Sequence, residues 1–171
     1  MNKWYVIQVF TGKEDEAKDL IEQSISHECL NECFVPRYRN MKKFKGEWRA
    51  CTAVLFPGYL IAVTSEIEKL ERELHSVPAL TKILGSNESF FPLNAEEKAW
   101  IDAFTQRDHR IIEMSTGVIE GDRVIIKEGP LINHTAWIKS INRRKRLAYL
   151  EMQICGRTVE AKVGLGIISK S

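Results

Sequence analysis

The chain has 171 residues, 44% hydrophobic and 28% charged, with 10 Gly and 5 Pro. An apolar content near the globular average excludes a wholly disordered or collagen-like chain, and the length suits one ordinary domain or two small ones. The net charge of +2 hides an asymmetry: residues 118–171 hold 10 Lys/Arg against 5 Asp/Glu, a net of +5, whereas residues 1–117 hold 15 against 18, a net of −3. Such a split predicts that the two parts meet different partners. The longest apolar run, 53–63, is interrupted by Pro57-Gly58 and falls short of the roughly 18–20 residues that span a bilayer. Met1-Asn2-Lys3 leads into a strand-like pattern and then Glu14-Asp15-Glu16, unlike a signal peptide. A soluble cytoplasmic monomer without a membrane partner is expected.

Lys3 to Phe10 is aromatic and β-branched and reads as a buried strand. Thr11-Gly12-Lys13-Glu14 matches a capping box, and Ala17, Leu20, Ile21 and Ile25 follow at helical spacing, predicting a helix over 13–27. Phe34-Val35-Pro36 reads as a short strand. Residues 37–49 hold six basic residues, one acidic residue and three aromatics, and their alternation around Gly46 predicts a projecting hairpin. A long strand bent at Pro57-Gly58 is expected over 53–63. Ser65-Glu66-Ile67-Glu68 repeats the capping-box pattern before a helix over about 65–75, Leu80 to Leu84 reads as a strand ending at Gly85, and Asn94-Ala95-Glu96-Glu97 caps a third helix.

The fold class expected is therefore α+β. Residues 1–106 form an α/β sandwich with a mainly antiparallel sheet, and 107–117, which lack a period, form a linker. Residues 118–171 carry five short strands (121–127, 135–141, 147–154, 158–163 and 166–169) that suggest a small β-barrel.

Cys29, Cys33, Cys51 and Cys155 lack CxxC spacing, and Cys29, Cys33 and His27 fall short of four zinc ligands, so free thiols and no metal are expected. The four histidines have no carboxylate or nucleophile grouped around them, and no P-loop or GxGxxG occurs. No cofactor and no catalysis are expected.

Four sets of residues together carry a family resemblance. Trp4-Tyr5-Val6 precedes Gly12-Lys13-Glu14, and Phe56-Pro57-Gly58-Tyr59 follows the basic hairpin. Val77-Pro78-Ala79-Leu80 precedes Gly85 and the proline-led helix at 92–104. Gly121-Asp122-Arg123-Val124, Gly129-Pro130-Leu131 and Cys155-Gly156-Arg157 look like a KOW-type barrel. In this order they resemble the NusG family of transcription elongation factors over nearly the whole chain. The resemblance implies an N-terminal (NGN) domain that docks on the β′ clamp helices of RNA polymerase and bridges towards the β lobe. It further implies a C-terminal barrel that recruits Rho, the ribosomal protein NusE or RNA, with no reaction catalysed. Polymerase-facing aromatics would then be Tyr5, Phe56 and Tyr59, for which core packing is the competing reading.

The hairpin, with Lys42, Lys43, Lys45, Trp48 and Arg49, reads either as an arm over upstream DNA or as a solvated loop whose lysines protect an edge. In the barrel, Asn142-Arg143-Arg144-Lys145-Arg146 places four consecutive cations in one turn, and Lys127, His134, Lys139 and Arg157 add to the basic module. A structured leader RNA is the expected partner, with a solvated turn or an acidic protein surface as alternatives. This turn and the Val163-Gly164-Leu165-Gly166-Ile167-Ile168 ending look most like the LoaP group of specialised antiterminators. A general NusG-type factor recruiting Rho or NusE is the alternative, and a ribosome-associated KOW protein is a third.

Overall fold

A computed structural model describes residues 2–77, 82–83, 92–105 and 109–168. The expectations on Pro78-Ala79-Leu80, Gly85, residues 106–108 and Ser169 fall outside the described residues. The chain forms two compact units, the first drawn from Met1–Pro36, Phe56–Ala99 and Ile154–Arg157, the second from Arg37–Leu55, Trp100–Gln153 and Thr158–Ser171.

In the first unit, β1 (Lys3–Gln8), β2 (Glu32–Phe34), β5 (Tyr59–Thr64) and β6 (Lys82–Ile83) form an antiparallel sheet of order β2-β5-β1-β6. β-branched and aromatic residues fit both faces of this pleated surface. Trp4, Tyr5, Val6 and Ile7 are all buried, as are Leu60, Ile61 and Ala62 opposite them. Helix α1 (Glu14–Ser24) buries Ala17 and Ile21, and α2 (Ile67–Leu74) buries Leu70 and Leu74. In α3 (Ala95–Thr105) the reciprocal cap is present: the Glu97 amide donates to Asn94 Oδ1 at 2.8 Å, and the Asn94 amide to Glu97 Oε1 at 3.0 Å.

The other two caps are corrected. Thr11 does not cap α1. Glu14 turns inward instead, 4% exposed, and accepts the Gly12 amide at 2.9 Å and the Gly58 amide at 2.8 Å. At α2 it is Thr64 Oγ1, not Ser65, that accepts the Glu66 amide, at 2.9 Å. Nor is 53–63 one bent strand. β4 (Glu47–Val54) and β5 are separate, because Pro57 cannot donate to a ladder and Gly58 adopts φ +86°.

In the second unit, β3 (Arg37–Phe44) and β4 pair in full register, with Lys43 opposite Trp48. Lys45 and Gly46 both have positive φ, as the two-residue turn of a tight hairpin requires. β7 (Ile111–Ile112) adds in parallel to β3, giving the order β4-β3-β7. The hairpin thus groups with C-terminal strands. β8 (Ser115–Glu120), β9 (Arg123–Glu128), β10 (Ile138–Asn142), β11 (Leu147–Ile154) and β12 (Arg157–Ile167) form a five-stranded sheet of order β10-β11-β12-β8-β9.

Residues 111–112 and 115–117, expected as linker, are therefore strand, whereas Thr135–Trp137 is a 3-10 turn and β12 runs unbroken from Arg157 to Ile167, joining the strand expected at 158–163 to the start of the one expected at 166–169. Ile112, Leu131, Leu150 and Leu165 form part of this unit's fully buried core. The α+β class holds.

Candidate nucleic-acid interface

The aromatics expected to face polymerase lie in the first unit. Tyr5 and Phe56 are buried and Tyr59 is half-buried. Burial raises the Tyr5 phenol pKa. Phe56-Pro57-Gly58-Tyr59 is a tight turn closed by the Tyr59 amide donating to the Phe56 carbonyl at 3.0 Å. Proline at its second position and glycine with positive φ at its third are the chemistry of a type II turn. A Cβ on Gly58 would sit 3.0 Å from Thr11 Oγ1. The register separates two of the three aromatics: Tyr59 pairs with Gln8, and Tyr5, an odd number of residues from Gln8, points to the other face. Phe10, read as part of a buried strand, lies beyond the end of β1 and is 60% exposed. The Val9 amide donates to the Gly58 carbonyl at 2.8 Å, which fixes Phe10 beside the turn. No sequence signal marked it, since alternation alone would bury it.

The basic residues of the second unit sort by their partners. Lys139 forms ion pairs with Glu160 at 3.3 Å and Glu151 at 3.6 Å, and Glu160 foremost raises its pKa. It is a paired cation. His134 stacks on Trp137 (4.1 Å between centroids, 23°), and both rings meet Trp100, whose indole N–H donates to the Pro130 carbonyl at 3.2 Å. His134 is thus held inside an aromatic cluster. Asn142 Oδ1 accepts the Lys145 amide at 2.9 Å, so this side chain shapes the turn. Lys127 is exposed on β9, at the opposite edge of the sheet from β10. Arg157 is exposed and belongs to the first unit.

What remains is concentrated in two places. On the β10–β11 turn, Arg143, Arg144 and Lys145 are exposed, and on the hairpin so are Lys42, Lys43 and Lys45; none of the six has an ion-pair partner among the described residues. Arg49 lies 3.9 Å from Glu47 and stacks over Phe44 at 5.2 Å. Arg146 covers the Trp48 ring at 4.0 Å, so the hairpin and the turn touch within one unit. Gly164 on β12 explains how closely the hairpin packs: a Cβ there would lie 2.5 Å from the Arg39 carbonyl oxygen and from Met114 Cγ. Arg39 adds an ion pair to Glu113, its Nε–H shared between the two carboxylate oxygens at 3.0 and 2.9 Å.

The NusG family model, described as transcription termination factor NusG, matches residues 2–101, more than half of the chain. The chain belongs to the NusG family. It is 26% identical over 168 residues to the transcription termination/antitermination protein NusG of Campylobacter jejuni, covering 95% of this chain and 93% of that one. It is 25% identical over 169 residues to the NusG of Helicobacter pylori, covering 95% of each. A solved structure of Thermotoga maritima NusG aligns with 96% of this chain and 94% of its own, at a TM-score of 0.58 and 18% identity, a likeness of fold. The chain is a NusG-type transcription termination/antitermination factor. Among the described residues no cluster of His, Cys, Asp and Glu suits a metal, and no helix is long and apolar enough to cross a membrane.

Proposed function

We propose that this NusG-family chain is a processive antiterminator of the LoaP type, which rides on RNA polymerase and is addressed by a hairpin in leader RNA. The observation that carries the reading is the β10–β11 turn. Three adjacent exposed cations there lack carboxylate partners among the described residues, on a backbone held by Asn142 and by the Arg146 carbonyl, which accepts the Leu165 amide at 2.9 Å. Arg and Lys on an ordered turn suit phosphate, and Arg's fork also matches guanine edges. A regular A-form major groove is too narrow for side chains, so the turn enters a groove widened by a loop or bulge.

Residues 1–106 act as the NGN part on the β′ clamp helices and β lobe, a reading supported by the family match over 2–101. Phe10 and Tyr59 offer the contact surface, and the buried Tyr5 and Phe56 support it from beneath. Residues 118–171 act as the KOW barrel, and the protein works in the cytoplasm. The test is whether the full chain co-elutes with core polymerase and shifts leader RNA. Co-elution with a shift abolished by Arg143→Ala/Arg144→Ala is the expected result; an unchanged shift overturns the placement.

A second reading has its own observation. Lys139, Glu151 and Glu160 form a mixed-charge patch across β10, β11 and β12, a surface better suited to a protein such as Rho or NusE than to phosphate. Capture of either by the chain, with no RNA shift, decides for this general NusG-type role.

A further inference from the structure

We infer that the hairpin and the β10–β11 turn form one composite RNA-binding face rather than two independent nucleic-acid sites. The inference rests on the reading of the turn as an RNA contact and adds that the same RNA continues onto the hairpin.

Three observations join the elements. Arg146 at 4.0 Å from the Trp48 ring bridges them directly. Lys43 is the cross-strand partner of Trp48, so it shares Trp48's face of the hairpin, about 5 Å away along the ladder. The hairpin is also fixed in place, by the Gly164 approach to the Arg39 carbonyl and by the Arg39–Glu113 pair. The turn is equally fixed through Asn142 and Leu165. Cations from separate segments on two fixed backbones can therefore contact successive phosphates with only their side chains left to order.

The electrostatics demand an anion. Lys42, Lys43 and Lys45 have no ion-pair partner among the described residues, and Lys43 lies on the face of the hairpin that carries Trp48 and its Arg146 contact. At the hairpin tip Phe44 is 54% exposed and is flanked by Lys45 at 5.6 Å and Arg49 at 5.2 Å. An exposed ring set among cations suits an unpaired base, since stacking accepts any base while the cations take its phosphates. A stem-loop fits this arrangement, with its distorted groove on the turn and Lys43, and an unpaired nucleotide reaching over the hairpin tip to Phe44, which projects from the face opposite Trp48. Regular duplex DNA offers no unpaired base for that ring.

The probe is a fluorescein-labelled RNA stem-loop with an unpaired tip, titrated with the full chain across a salt series. A DNA duplex of equal length is the comparison. Each neutralised phosphate contributes about 0.7–0.9 to the log–log salt slope. A hairpin variant, Lys42→Gln/Lys43→Gln/Lys45→Asn, keeps a turn-forming residue at the positive-φ position, and circular dichroism confirms its fold. The inference expects one RNA per protein and a slope lowered by about 1.5–2.5 in this variant, with a similar loss in Arg143→Ala/Arg144→Ala. Phe44→Ala weakens RNA binding severalfold and leaves the slope unchanged. If the hairpin variant keeps the wild-type slope while the turn variant loses it, the composite face is wrong and the turn reading survives. Two RNAs per protein, or hairpin-dependent binding seen with DNA alone, also overturn it. If neither variant changes RNA binding, the turn reading itself fails.

Discussion

Replacing Glu14 by Ala would remove the carboxylate that ties the start of α1 to the Phe56–Tyr59 turn. In the native chain Glu14 is 4% exposed and accepts the Gly12 amide at 2.9 and 3.2 Å and the Gly58 amide at 2.8 Å. Each donor left without a partner costs about 1–3 kcal/mol, and relief of the buried charge offsets part of this. A net loss of about 2–4 kcal/mol follows, which for a chain of this length lowers Tm by roughly 4–16 °C. Glu14→Gln keeps one acceptor oxygen and turns an N–H towards the other donor, so it falls between Ala and the native residue. Calorimetry gives the stability. Amide exchange gives the location, because protection at Gly58 is lost ahead of protection in β1. A Glu14→Ala protein whose Tm lies within about 2 °C of the native one, with Gly58 still protected, would refute the reasoning.

Other substitutions probe separate contacts. Gly164→Ala forces a methyl against the Arg39 carbonyl. It should cost about 1–3 kcal/mol and expose the hairpin to limited proteolysis, and an unchanged cleavage pattern counts against the close packing. Asn142→Ala removes the acceptor for the Lys145 amide. A loss of about 0.5–1.5 kcal/mol is expected, read by denaturant titration, together with weaker RNA binding through a loosened turn. Burial pushes the Cys33 thiol up to about 12, above the roughly 8.5 of an unfolded thiol. The folded chain therefore holds the proton longer. The stability from this thiol is complete below about pH 8.5 and is lost towards pH 12, at up to about 1.4 kcal/mol per pH unit. Cys33→Ala should flatten the alkaline fall in the denaturation midpoint, and a fall of unchanged slope contradicts it.

Much of the fold was legible because its signals are local. The aromatic and β-branched run that begins at Lys3, the reciprocal Asn94–Glu97 cap and the basic run around Gly46 each act within a few residues; the cap and the hairpin form as expected, and the strand forms as far as Gln8. What escaped depends on distant partners. Thr11 looked like a cap because a Glu followed it at the right spacing, but that Glu bonds an amide 44 residues away. Ser115, Thr116 and Gly117 read as linker because only pairing with β9 and β12 makes them strand.

The interface divides in the same way. A run of cations is visible in sequence, but its pairing is not. Glu151 and Glu160 neutralise Lys139 across strands, and Asn142 serves the backbone. His134 lies three residues before Trp137, and the tight turn between them stacks the two rings. The proximity of Trp48 to Arg146 spans nearly a hundred residues and has no linear trace.

Single-round transcription by the cognate polymerase through a terminator, with and without the candidate operon leader, tests the central claim most directly. Native chain is compared with Arg143→Ala/Arg144→Ala. Readthrough that rises only with the native chain, and only when the leader is present, is the predicted result. Readthrough that ignores the leader and is shared by the variant would contradict it and mark a general elongation factor.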